Sequence, residues 1–199
     1  RGFTALEQNR FPQATDAFNQ AGNIYPGRQA VIQALSQVET QQSQLLVSQQ
    51  MQQAGDLERQ EQWQQALGIY QSLLQTDPSS TQAKVKTIPV TVRATLHNQL
   101  QAALADPLKL SNANAYQKGR RLLKDARGIA NPGPVLSQQV ADLDRYLSQS
   151  TIPVPVVLLS DSLTEVTLFR VAKLGTFEQT SVQLKPGHYI AAGSRNGYR

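Results

Sequence analysis

The stretch Glu61–Pro78, EQWQQALGIYQSLLQTDP, limits what this chain can fold into more than any other. Trp63, Ala66, Tyr70, Leu73 and Leu74 recur at helical three- and four-residue steps, which gathers them into one apolar stripe on a single helix. Asp77-Pro78 stops that helix, because the residue before a proline is pushed out of the α region. Such a stripe needs a neighbouring helix to cover it. The residues just before it supply one, and a second copy of the pattern lies upstream.

In that upstream copy, Gly2, Ala5, Leu6, Phe11, Ala14, Phe18, Ala21 and Pro26 fall where two short antiparallel helices would interlock. Gly2, Ala14 and Ala21 let helices approach closely, and Phe11 and Phe18 fill the gaps between them. Ala54, Leu57, Trp63, Ala66, Tyr70, Leu73 and Pro78 hold the matching places in the second copy, with Leu73 in place of a small residue. This small–aromatic–small–proline rhythm resembles the tetratricopeptide repeat, TPR. The resemblance implies a helical array that binds rather than reacts. An ordinary helical hairpin bundle is the alternative. Pro26 and Pro78 are 52 residues apart, against about 34 for adjacent TPR repeats. The intervening stretch, Arg28 to Glu61, lacks proline and reads as one helix on the order of 50 Å long at about 1.5 Å per residue. Its glutamine-rich outer face could pair with another copy of the protein. A break near Gln41–Ser43 is the competing reading.

Beyond Pro78 the pattern loosens. Ser79 or Ser80 can cap a short helix that Pro89 interrupts, and Val92–Ala105 reads as a helix ended by Asp106-Pro107. Ser111 or Asn112 can cap another running to about Ile129, and Val135–Leu147 forms a last one carrying Val135, Val140, Leu143 and Leu147 towards one side. The helical domain is therefore expected over residues 1–150. From Thr151 to Arg199, β-branched and aromatic runs alternate with turn signals at Ser160–Ser162, Gly175 and Pro186-Gly187. Glu165–Val171 reads as one strand, and Pro186-Gly187 as a tight hairpin turn with a positive φ at Gly187. Leu184–Arg199, LKPGHYIAAGSRNGYR, resembles the PEGA domain, although the motif that names that family is not evident near Ser160–Glu165. Any antiparallel β domain with a Pro-Gly hairpin is the plainer alternative. The expected fold class is α+β: an all-helical TPR-like hairpin array followed by a small antiparallel β domain that continues past Arg199.

Composition narrows the function. The chain is 40% apolar and 17% charged, with glutamine dense from Gln41 to Gln65, and has no cysteine, which excludes disulfides and thiolate metal sites. No apolar run approaches the roughly 18 residues of a membrane helix. His97 and His188 lack ligand spacing, and Asp142 and Asp144, two apart, do not face each other on a helix. Phosphate-loop, dinucleotide and nucleophile-elbow motifs are missing. No catalytic, cofactor or metal residue is assigned.

Net charge is −3 over residues 1–80, +6 over 81–150 and +2 over 151–199. KGRRLLKDAR places Arg120, Lys124 and Arg127 on one helix face, either a stripe for an anionic envelope component or simply a solvated surface. The lack of interleaved aromatics argues against nucleic acid. With Gln53 and Glu58 on the first helix of the second repeat, these are the candidate partner-contacting residues. The expected function is a non-enzymatic protein-interaction or scaffold module. The PEGA resemblance implies a bacterial envelope or periplasmic setting, with a membrane anchor before Arg1; a cytoplasmic setting is the alternative. The rival functions are a self-associating spacer and the docking region of an enzyme whose catalytic domain lies elsewhere.

Overall fold

The computed structural model describes residues 1–197. Its class is α+β: seven α-helices precede a small antiparallel β region among the described residues. Two compact units divide at Ala94/Thr95.

The first unit contains α1 (Gly2–Glu7), α2 (Phe11–Ile24), α3 (Gln29–Arg59), α4 (Trp63–Thr76) and the first part of α5 (Thr81–Ala105). Helix α3 is unbroken across Gln41–Ser43, as the single-helix reading expects. The turns α1–α2 and α3–α4 are built alike. Asn9 and Glu61 both have φ 56°. The amide of Asn9 donates to the Leu6 carbonyl at 2.9 Å and that of Arg10 to Ala5 at 2.8 Å. At the second turn Glu61 donates to Glu58 at 3.0 Å and Gln62 to Leu57 at 2.9 Å. This paired pattern is a Schellman closure, which satisfies carbonyls that a helix end otherwise leaves bare. The helices that follow are each 14 residues long, and each ends just before a proline-containing turn.

Packing repeats as the turns do. Ala14 and Ala66 are both fully buried, and Phe11, Phe18 and Tyr70 are buried beside them. Trp63 is half-buried. One core gathers Ala5, Leu6, Phe11, Ala14, Phe18, Ala34 and Val38. The other gathers Ala54, Ala66, Leu67, Tyr70, Leu73, Ala83, Val90 and Ala94. A side chain on Gly2 would come within 2.7 Å of the Phe18 ring, so glycine is required at that crossing.

Pro89 lies inside α5 and does not interrupt it. Its ring is on the exposed side, where a helix can bend outward and leave the carbonyl that proline cannot serve to water. The Thr87 and Thr91 hydroxyls bond to the carbonyls of Ala83 and Thr87, each at 2.7 Å.

The second unit contains the rest of α5, a 3-10 turn (Pro107–Ser111), α6 (Ala113–Arg127), α7 (Pro134–Ser150) and five strands. Asn112 caps α6 by accepting the Asn114 amide at 2.9 Å. Leu96, Leu100, Leu110, Leu123, Leu136, Leu143 and Leu147 form the core. Val140, Leu143 and Leu147 face this core as expected, whereas Val135 is exposed and its neighbour Leu136 is buried instead. Strand β1 (Val154–Leu159) pairs with β4 (Gln179–Leu184), while β2 (Glu165–Leu168) is central between β3 (Ala172–Gly175) and β5 (Ala191–Ser194).

Two expectations are corrected here. Glu165–Val171 is not one strand: the chain turns at Phe169–Arg170, with Arg170 at φ 63°, and returns as β3. Pro186-Gly187 is not a hairpin turn either. Strands β4 and β5 belong to different sheets, and Gly187 has no positive φ. The Tyr189 hydroxyl instead donates to the Lys185 carbonyl at 2.7 Å across the connection. Tyr198 and Arg199, the end of the PEGA-like segment, lie outside the described residues.

If close helix approach at Ala66 organises the second hairpin, Ala66→Leu costs about 1–3 kcal/mol in urea unfolding. Gln65→Leu, on the exposed side, stays within about 0.5 kcal/mol. Equal values for the two would remove the close approach. In the β1–β2 connection the Leu163 amide, the Thr164 hydroxyl and the Thr164 amide hold the Asp161 carboxyl down to about 2, helped by Arg195 at 3.1 Å. Because the folded-state value is depressed, its stabilising contribution is complete above the ordinary carboxyl pKa near 3.8 and fades as pH falls towards 2. An NMR titration of the Asp161 carboxyl checks this; a midpoint near 4 contradicts it.

Candidate interaction surfaces

Helix α5 is apolar on two opposite sides. At about 100° per residue, Ala83, Val90 and Ala94 share one side and are buried. Val85, Ile88 and Val92 share the other and are 64%, 71% and 55% exposed. One side closes the core of the second hairpin. The other is a row of three β-branched side chains, one above another, facing water.

Charged groups lock α5 to the α3–α4 turn. The Arg93 guanidinium lies 4.5 Å from the centre of the Trp63 ring and 3.5 Å from the Glu61 carboxylate. Both charged side chains are largely buried, at 14% and 5% exposure. Burial pulls the Arg93 pKa down while Glu61 pulls it back up. Glu61 therefore does two things: its backbone takes the left-handed turn conformation, and its carboxylate neutralises a cation in the interior. Nearby, the Tyr70 hydroxyl donates to Glu58, and Lys86 approaches the same carboxylate at 3.4 Å. Burial, with the hydrogen bond to Glu58 and its negative charge, pushes the Tyr70 phenol far above its ordinary value.

The sequence-derived candidates fall into two places. Gln53 is exposed on α3, whereas Glu58 is half-buried and held by Tyr70 and Lys86. That makes Glu58 a clamp between helices more than a free contact point. Arg120, Lys124 and Arg127 are all exposed on one face of α6 in the second unit. Arg127 is paired with Asp144 at 2.8 Å, so part of the cationic stripe is neutralised within the protein. The residues missed from sequence are Val85, Ile88 and Val92. Their three- and four-residue spacing was readable, but Pro89 in their midst hid the helix that aligns them.

No group of three or more His, Asp or Glu side chains converges on a common point among the described residues. No described helix is long and apolar enough to cross a membrane.

Breaking the buried pair exposes its role. Arg93→Met removes the cation that neutralises the buried Glu61 carboxylate and costs about 3 kcal/mol. In a Glu61→Gln background the same change costs at least about 1 kcal/mol less. Trp63 is the only tryptophan in the chain, so its fluorescence during urea unfolding reads both variants. Strictly additive costs would separate the two side chains energetically.

No family model, curated protein or solved structure matches this chain.

Proposed function

We propose that this chain is a non-enzymatic interaction module that presents α5 to a protein or peptide partner. Exposure of Val85, Ile88 and Val92 on a helix already anchored by its opposite face carries the reading. Spacing of i, i+3 and i+7 suits the apolar face of an amphipathic segment, which would supply matching anchors. The row is already ordered before binding, because Ala83, Val90, Ala94 and Arg93 fix its backbone. A partner therefore binds without paying to order the helix. The repeated hairpins before α5 supply the rigid support, and support the TPR-like reading. The exposed Arg120 and Lys124 provide a second, cationic contact for an acidic partner or anionic envelope component. An envelope setting rests on the PEGA-like segment alone.

A random-peptide selection against the purified chain tests the reading. Selected peptides should be amphipathic, and Ile88→Asp should weaken their binding at least tenfold without lowering the melting temperature. Peptides indifferent to Ile88→Asp would overturn it. So would a concentration-dependent dimer, seen by light scattering, that Ile88→Asp dissociates: the stripe would then belong to a second copy.

A further inference from the structure

In the second unit, α5, the 3-10 turn and α6 enclose a recess of about 530 Å³. That is within the range of roughly 300–1,000 Å³ typical of small-molecule sites. We infer that it binds a small amphipathic anion, an acyl or aryl body carrying a carboxylate or a similar head group. The recess exists because its wall residues are small: Ala102 and Ala103 on α5, and Ala115 and Gly119 on α6. Packing favours glycine at 119, since a Cβ there would stand 3.0 Å from a Leu147 methyl and 3.3 Å from one of Leu110. Leu110 and Leu122 complete an apolar interior.

Charge sets the sign of the ligand. Lys109 is already engaged by Asp106 at 3.2 Å, and that carboxylate also has His188 at 3.9 Å. Lys118 and Arg121, one turn apart on α6, line the recess with no ion-pair partner among the described residues. Asp125 is the one opposing charge left on the wall. Two uncommitted cations against one anion, at the edge of an apolar interior, favour a ligand with an anionic head and an apolar tail. By helical geometry Arg120, Lys124 and Arg127 lie on the opposite side of α6, so this site is separate from the cationic stripe.

Calorimetric titration of the whole chain with decanoate, decylamine and decanol, each below its micelle concentration, tests the assignment. Decanoate should bind saturably and at least tenfold more tightly than the other two. The Lys118→Gln, Arg121→Gln double variant should weaken decanoate about tenfold. Ala102→Phe, a change at an exposed wall position, should abolish binding while circular dichroism and melting stay as in the wild type. Absent decanoate binding, equal affinity for decylamine, or binding unaffected by Ala102→Phe would each overturn the inference. Binding to phosphatidylglycerol vesicles without binding of free decanoate would overturn it too, by assigning the cations to a lipid surface.

Discussion

Everything in the first unit depends on how closely two helices approach where a small side chain meets an aromatic one. Ala14 and Ala66 have no exposed surface, and each sits on a helix whose next inward turn brings up Phe18 or Tyr70. A larger residue at either alanine would push the helix axes apart and uncover the rings. The turn before each helix meets the same requirement from the backbone side. One left-handed residue, Asn9 or Glu61, reverses the chain in so few atoms that the helices are side by side at once. Asparagine tolerates that conformation; glutamate does so at a cost of about 1 kcal/mol or more, which its buried pairing with Arg93 helps to offset.

That pairing links the turn to the exposed face of α5. Arg93 belongs to α5, so the ion pair and the guanidinium–indole contact tie α5 to the turn made by Glu61 and Trp63. With its inner face held by alanines, Val90 and this pair, α5 has no freedom left to hide its outer row. Val85, Ile88 and Val92 stay in water, which is costly for a protein unless something covers them.

Much of this was legible in the sequence where periodicity and punctuation agreed. Trp63 to Leu74 repeats at helical spacing and ends at Asp77-Pro78, and α4 follows it closely. The uninterrupted run from Arg28 to Glu61 became a single helix because nothing in it breaks one. The structure departs from the sequence expectation where a residue does not follow the usual habit of its type. Pro89 does not interrupt α5, because a proline on the solvent side of a helix packed through its other face can be carried. Pro186-Gly187 carries a hairpin signal, but β4 finds β1 as its partner, a long-range choice no turn residue records. The Glu61–Arg93 pair joins the α3–α4 turn to α5, and nothing local marks either residue as buried. Lys118 and Arg121 were hidden for another reason. They sit among other cations in KGRRLLKDAR, and only the fold shows which of these face a recess.

The absence of cysteine makes a direct measurement of the central claim possible. Single cysteines placed at positions 83, 85, 88, 90 and 92 can each be labelled with a thiol reagent at low protein concentration. An α5 anchored by one face and open on the other predicts rapid labelling at 85, 88 and 92 and strong protection at 83 and 90. Comparable rates all around the helix, or protection at 88, would contradict it.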